Sequence, residues 1–329
     1  MRQTRHALDE TDRRIAAALM ASPRVSWRTV ARVLDLSERT IVRRAMPLLQ
    51  DGTLRPTAVR NPARFPRIVP MALRIRCRPN RIRAIAAGLA RRPDTVWVDI
   101  LGGGNEISSV LFLHGAQARN SLLLRDLPAT ADVLSWDAHD LMRVFPAGFR
   151  WSGGLLTAEQ FDAMSPLVHD PVDAPEVQPF DEALIDRLTL DARAGYGELA
   201  TLLDTSASTV RRRLELLVST QTVRLTCEVD LGLLGVGSEA LLWIATGPGS
   251  LEAAGNALSR HPQVRFTAAT TGAANLLVAV AAKDLGGLYT FLTKTIGSLE
   301  DVRALEVTPI LNPVKRTGRV RLAEPIATS

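Results

Sequence analysis

Cysteine is nearly absent from this chain of 329 residues, which carries only Cys77 and Cys227. The two form no C-x-x-C pair, so they support neither a disulfide framework nor a thiolate metal site, and a reducing compartment fits. No run of 18 apolar residues occurs, so no membrane span is expected. The N-terminus carries Arg2, Arg5, Asp9 and Glu10 instead of the apolar core of a signal peptide, and a cytoplasmic location is expected. Lysine is scarce: among 40 basic residues only Lys283, Lys294 and Lys315 are lysines. Histidine is confined to five scattered positions, His6, His114, His139, His169 and His261. His, Asp and Glu nowhere converge at the spacing of a metal site or a nucleophile triad, and no phosphate-binding loop stands out. No metal and no cofactor are expected, and the chain reads as a non-enzyme.

What is present is apolar residues and arginine. Hydrophobic residues make up 46%, enough for real cores, and the length suggests two or three domains. The formal net charge is +6 and the pI about 10.1, which favours a polyanionic partner. Arginine suits bidentate contacts to phosphate and guanine. An arginine-rich genome composition would produce the same excess.

The strongest signal is an internal repeat. Asp35-Leu36-Ser37-Glu38-Arg39-Thr40-Ile41-Val42-Arg43-Arg44 recurs as Asp204-Thr205-Ser206-Ala207-Ser208-Thr209-Val210-Arg211-Arg212-Arg213, an offset of 206 − 37 = 169. The same offset pairs Asp12 with Asp181, Leu48 with Leu217, Arg91 with Arg260 and Gly103 with Gly272. Each copy opens with about 50 helical residues and continues with an α/β pattern. The boundaries read from this are a first helix-turn-helix domain at 1–60 and a first α/β domain at 68–142. A linker at 143–179 follows, then a second helix-turn-helix domain at 180–229 and a second α/β domain at 236–314. The linker is rich in breakers (Pro146, Gly153, Gly154, Pro166, Pro171, Pro175, Pro179), with a short helix expected around 157–164.

In the first copy Ile15 and Leu19 share one helical face, and Pro23 closes that helix. Ser26 is placed to cap a second helix, whose Val30, Val33 and Leu34 form an apolar stripe. Asp35-Leu36-Ser37 makes a short turn, and Ser37 caps a third helix with Ile41, Ala45, Leu48 and Leu49 on its packed face. Arg39 and Arg43 then point outward, flanked by Thr40 and Arg44. A solvated arginine face on a helix entered from a short turn is the layout of a recognition helix in the DNA major groove. Arg28, with Arg24 and Arg32, is expected to contact phosphates, which position a protein without reading sequence. Pro47 is expected to kink or stop the third helix. The second copy offers Ser206, Ser208, Thr209, Arg211 and Arg212. Residues 1–60 carry 12 Arg and 6 acidic residues (+6), whereas 181–228 carry 6 Arg and 8 acidic residues (−2). The first copy is therefore the expected double-stranded DNA binder; the second either binds or serves structurally.

The rest of each copy reads β-α-β-β-α-β, the split ferredoxin-like order. The expected elements are strand 71–77, helix 80–90, strands 95–101 and 107–113, helix 116–127 and strand 133–141. The second copy gives strand 239–246, helix 251–259, strands 264–271 and 276–282, helix 285–295 and strand 302–311. Trp136, Trp151 and Trp243 read as packing residues, because stacked bases would need a basic groove around them.

The motifs Leu8-Asp9-x-x-Asp12-x-x-Ile15, Leu36-Ser37-x-x-Thr40-Ile41-x-x-Arg44 and Thr271-Gly272-x-x-Asn275-Leu276-Leu277 resemble the leucine-responsive regulator/AsnC family of bacterial transcription regulators. The resemblance covers both copies. It implies an α+β protein with two three-helix winged helix-turn-helix domains, each followed by a βαββαβ effector and oligomerisation domain. It also implies homo-oligomers and a small-molecule effector, an amino acid or related metabolite. A chain with two copies would build the dimer-like unit within itself. The effector residues implied are Gly102, Gly103, Gly104, Asn105 and Glu106 in the first copy, with Thr271, Gly272 and Asn275 in the second. Glycines let the backbone approach a ligand, and the Glu106 carboxylate would meet an ammonium group. An ordinary hairpin turn would use the same glycines. A competing function on this scaffold is a tetrapyrrole (sirohaem) decarboxylase, which Val110-Leu111-Phe112-Leu113-His114-Gly115 loosely resembles. The His/Arg-rich stretch of those enzymes is missing here.

Overall fold

The computed structural model describes residues 8–145, 151–165 and 176–321. Arg2, Arg5, His6, Pro146, Pro166, His169, Pro171 and Pro175 lie outside the described residues. In chain order the first copy contains α1 (Glu10–Ala21), α2 (Trp27–Leu34), α3 (Glu38–Gln50), β1 (Arg55–Arg60), β2 (Ile68–Cys77), α4 (Ile82–Arg91), β3 (Thr95–Leu101), β4 (Glu106–His114), α5 (Gly115–Ser121) and β5 (Val133–Val144). A connecting helix α6 (Ala158–Met164) follows. The second copy contains α7 (Pro179–Leu190), α8 (Tyr196–Leu202), α9 (Ala207–Ser219), β6 (Val223–Glu228), β7 (Ser238–Thr246), α10 (Leu251–Ser259), β8 (Val264–Thr270), β9 (Leu276–Ala282), α11 (Leu285–Thr290), β10 (Val302–Arg316) and β11 (Arg319–Val320).

The copies do not fold as two tandem halves. One compact unit joins Met1–Arg64 to Phe149–Gly237, and the other joins Phe65–Gly148 to Ser238–Ser329. The helical segments of both copies thus share one unit, and the α/β segments share the other.

In the helical unit, side-chain caps set the helix starts. Asp9, Ser26 and Ser37 accept from the backbone N–H groups of Asp12, Thr29 and Thr40, which relieves orphan donors in each first turn. Pro47 does not stop α3. The helix runs on to Gln50, and the Pro47 carbonyl still accepts from Asp51 N–H at 2.9 Å. Each third helix is followed by one strand only. Within the described residues neither copy builds a wing hairpin of its own; instead β1 and β6 pair antiparallel with each other. Thr57 lies opposite Thr226, and these are repeat equivalents (57 + 169 = 226). A pseudo-twofold axis therefore passes between them. Equivalent bonds flank it: Thr57 Oγ1 donates to Thr189 O at 2.9 Å, and Thr226 Oγ1 to Met20 O at 3.2 Å. The connecting helix α6 buries Phe161 and Met164 and donates from Gln160 Nε2 to Val33 O at 3.3 Å.

In the α/β unit the strands run β3-β4-β2-β5 in one copy and β8-β9-β7-β10 in the other. β5 pairs with β8 and β10 with β3, so eight strands close into a ring, with β11 added at the end of β10. The two seams are again equivalent: Leu141 faces Thr270, and Ile310 faces Leu101. Strand alternation divides the core. Met71, Leu73 and Ile75 pack toward the helices of their own copy, whereas Ala72 joins a central cluster with Leu101, Val110, Leu241, Trp243 and Leu277. That cluster draws on both copies. Trp136 packs against the first helix-side core.

Two expectations change here. The linker does not begin at Arg143. Strand β5 extends to Val144, and Phe145 fills the second copy's core, where a Cβ on Gly255 would come within 2.1 Å of its ring. The second helix of each βαββαβ module is also shorter as an α-helix. Both open into a wider π turn, at Leu122–Asp126 and at the equivalent Phe291–Thr295.

Candidate functional site

The turn between α2 and α3 uses an aspartate in a left-handed conformation. Asp35 has φ 56°, and its equivalent Asp204 has φ 50°. Aspartate tolerates this region better than most L-residues. The chain then enters α3 with Ser37 accepting from Thr40 N–H at 3.1 Å and sharing a hydroxyl hydrogen bond of 2.8 Å with Thr40. Ile41 and Ala45 are buried beneath, so the opposite face is set toward solvent. Ser37, Arg39 and Arg43 are exposed there, as are Arg28 and Arg32 on α2. Together they form a basic, serine-capped surface able to meet phosphates and base edges.

Arg44 does not join that surface. Its guanidinium bridges Asp9 at 2.5 Å and Asp12 at 3.0 Å, tying α3 to the start of α1. The backbone N–H of Asp12, aided by Arg44, holds the Asp9 carboxyl below its usual range, and Asp9 in turn raises Arg44. Arg213 makes the equivalent bridge, with Nε and Nη2 each 2.5 Å from an oxygen of the buried Asp181. Arg24 is also taken. It donates to Ala192 O and Ala194 O at 2.8 Å and lies 4.3 Å from the Tyr196 ring centre. Its equivalent Arg193 reaches back to Pro23 O and lies 4.2 Å from the Trp27 ring centre. Burial lowers the Arg193 guanidinium, helped by Arg24 beside it. These reciprocal contacts clamp the two helical trios about the axis at Thr57 and Thr226.

The equivalent third helix of the second copy, α9, is capped in the same way: Ser206 accepts from Thr209 N–H at 3.1 Å and bonds the hydroxyls of Ser208 and Thr209 at 2.8 Å. Ser206, Ser208, Arg211 and Arg212 are exposed. Arg211 lies 3.6 Å from Glu215 one turn on, an exposed pair that contributes little.

Gly102–Asn105 forms the hairpin connection between β3 and β4. Gly104 has φ 68°, and Gly102 N–H donates to Pro309 O on β10 at 2.8 Å. Glu106 is held by Arg74 Nε at 2.6 Å, and Arg74 also grips Glu306 at 2.6 and 2.9 Å. Burial alone would lower the Arg74 guanidinium; its two carboxylates outweigh that and leave it raised. In the second copy Thr271 N–H donates to Asp140 O at 3.0 Å, and Thr271 O lies 2.8 Å from His139 Nδ1. A Cβ on Gly272 would come 2.6 Å from that nitrogen. Asn275 brackets Thr246, accepting from its N–H at 3.0 Å and donating to its carbonyl at 2.8 Å. The carboxylate and the amide expected to face an effector therefore both have partners from the chain itself.

A buried charge cluster in the α/β unit escaped the sequence reading. Arg316 lies 2.7 Å from Asp99 and 3.2 Å from Glu239, which also meets Arg265 at 2.7 Å. Arg316 and Arg265 flank the Trp97 ring at 4.5 and 5.0 Å. Burial pushes the Asp99 carboxyl up to about 6 against the pull of Arg316. The four groups come from β3, β7, β8 and β10, so no spacing rule connects them. The available signal was a charge inside each strand pattern, such as Asp99 between Val98 and Ile100. Among the described residues no group of three His, Cys, Asp or Glu is arranged to hold a metal ion, and no helix is long and apolar enough to cross a membrane.

The AsnC-type helix-turn-helix domain matches residues 8–46, and the Lrp/AsnC ligand binding domain matches residues 239–320. Both matches are to domains of the Lrp/AsnC family. The first match falls in the helical segment of the first copy and the second in the α/β segment of the second copy. An uncharacterized HTH-type transcriptional regulator of Pyrococcus horikoshii is 28% identical over 149 residues, 45% of this chain and 93% of the relative. One of Pyrococcus abyssi is 26% identical over the same shares. Among solved structures, the siroheme decarboxylase NirDL bound to an iron-uroporphyrin III analogue aligns over 94% of this chain and 93% of its own, with a TM-score of 0.57 and 12% identity. At that identity the likeness is one of fold. It extends over both copies, whereas the two Pyrococcus relatives are about half as long as this chain.

Proposed function

We propose that this chain is a sequence-specific, double-stranded DNA-binding transcriptional regulator acting in the cytoplasm, with α3 as the principal reading helix. The observation that carries this reading is the Ser37-capped start of α3, which leaves Arg39 and Arg43 exposed beside Arg28 and Arg32 on α2. Arg39 and Arg43 read base edges, while Arg28 and Arg32 contact phosphates. Ser37 and Thr40 order the helix start; Arg44 braces it from behind. The helix-turn-helix domains at 1–60 and 180–229 act as one paired reading head. The α/β domains at 68–142 and 236–314 form the effector and assembly module, and further copies associate through its outer surfaces.

The effector is a small metabolite of amino-acid type. It acts where Gly102–Glu106 meets β10, with its ammonium displacing Arg74 from Glu106 and its carboxylate meeting the released guanidinium. The hairpin supplies the backbone and Glu106 the charge. Thr271, Gly272 and Asn275 hold the equivalent loop against β5 and β7.

The test is a binding titration on the DNA flanking the protein's own gene at two salt concentrations. Wild type should bind saturably, and Arg39→Ala/Arg43→Ala should lose that binding and flatten its salt dependence. No specific binding by folded wild-type protein at any salt would refute the regulator reading. The competing reading, a tetrapyrrole decarboxylase, is favoured by the fold shared with NirDL over the whole chain. It requires the purified chain to take up an iron tetrapyrrole and absorb in the Soret region.

A further inference from the structure

The two reading helices sit in equivalent frames but present different chemistry. The antiparallel β1–β6 pair places Thr57 against Thr226, so the helical trios are related by a near-twofold rotation. The Arg24 and Arg193 clamps fix that relation from both sides. A symmetric frame of this kind matches the local twofold of a DNA duplex, in which an inverted repeat gives each helix the same half-site.

The exposed residues break that symmetry. Position by position, Arg28 corresponds to Gly197, Arg32 to Thr201, Glu38 to Ala207 and Arg39 to Ser208. All eight are exposed. Past the serine caps, Thr40 with Thr209 and Arg43 with Arg212 are kept, and Val42 is replaced by Arg211. What both copies preserve includes the scaffold: the serine caps, the left-handed aspartates and the bridges from Arg44 and Arg213. The first trio thus offers three arginines, at 28, 32 and 39, that the second lacks.

We propose that the DNA site of this protein is an inverted pair of unlike half-sites, bound in a single orientation. The α3 half carries the stronger base readout, through Arg39 and Arg43. The α9 half is read more weakly, through Arg212 and the Ser208–Thr209 edge. This inference rests on the DNA-binding reading above. A single chain that contains both halves can hold such a directional site without any symmetric partner. A dimer of identical subunits has no such freedom, because it presents one helix twice.

The test is selection from random duplex DNA with the full chain, followed by sequencing of the enriched pool. The expected motif has two dissimilar halves in inverted arrangement, with more sequence information in the half protected by α3. On the selected site Arg39→Ala should weaken binding about tenfold or more, and Ser208→Ala less than about threefold. The variant Ala207→Glu/Ser208→Arg/Arg211→Val gives α9 the surface of α3 and should move the selected motif toward a palindrome. A wild-type motif that is already palindromic, with equal information in both halves, would overturn the inference. No enrichment above background is a different result; it would remove the DNA-binding reading itself.

Discussion

The same bridge occurs in both copies at very different depths, and this predicts unequal costs for one substitution. Arg213 holds Asp181 with two hydrogen bonds of 2.5 Å, and the Asp181 side chain is 0% exposed. Arg44 holds Asp9, 53% exposed, and Asp12, 20% exposed. Breaking a buried pair by removing one partner typically costs roughly 3–5 kcal/mol, because the remaining charge is left uncompensated. Asp181 keeps one donor, Gln178 N–H at 2.8 Å, and sits in the first turn of α7, where the helix dipole favours a carboxylate. The cost of Arg213→Gln should therefore fall to about 2–3 kcal/mol. For Arg44→Gln the partners turn to water, and the cost should stay within about 1 kcal/mol. In a domain of this size, thermal unfolding should move down by on the order of 5–10 °C for the first variant and by a few degrees at most for the second. Amide exchange across α7 and α9 should accelerate only in Arg213→Gln. The double variant Asp181→Leu/Arg213→Leu should recover most of the loss, since an apolar pair of similar volume carries no stranded charge. Equal losses from the two single substitutions would refute the reasoning from burial.

Three further outcomes follow from the structure. Asp99 holds its proton in the folded chain up to about 6 rather than 3.8, so its contribution is complete below about pH 4 and is lost as pH rises through 6. It amounts to at most about 3 kcal/mol, and Asp99→Asn should remove that slope from urea midpoints measured between pH 4 and 7. Arg24→Ala should strand the carbonyls of Ala192 and Ala194 and cost about 1–3 kcal/mol, with faster amide exchange along β1 and β6; unchanged exchange would argue against the clamp. Burial pushes the Cys227 thiol well up, so it should resist alkylation in the native chain at pH 8 and react promptly once unfolded; rapid native labelling would contradict its packing.

Much of the local architecture was legible in the sequence because it rests on short-range physics. Ser26 and Ser37 announced helix starts through capping chemistry, and Ile41 and Ala45 announced the packed face through their spacing. The strand at Thr95–Leu101, the helix at Leu251–Ser259 and the strand at Leu276–Ala282 have the limits read from their apolar patterns. What misled the reading was arginine. An arginine at helical spacing looks solvated whether it faces water or a distant partner. Arg43 faces water, while its neighbour Arg44 is turned to Asp9 and Asp12, and Arg24 reaches across to the other copy. Glu106 likewise looked like a free ligand group until Arg74 came beside it from the adjacent strand, with Glu306 on that arginine's other side.

The sequence by itself determined the repeat, its 169-residue offset, the three helices of the first copy, the βαββαβ order in each copy and the charge difference between the two helical segments. Each of these depends on neighbours in the chain or on composition. Only the tertiary structure decided that like segments pair across the copies, that β1 meets β6 at Thr57 and Thr226, and that eight strands close into one ring. Those pairings join residues more than 100 positions apart. Any strand edge in the chain supplies the same backbone donors and acceptors, so the choice of partner was made by packing, in the reciprocal arginine clamps of one unit and the shared core of the other.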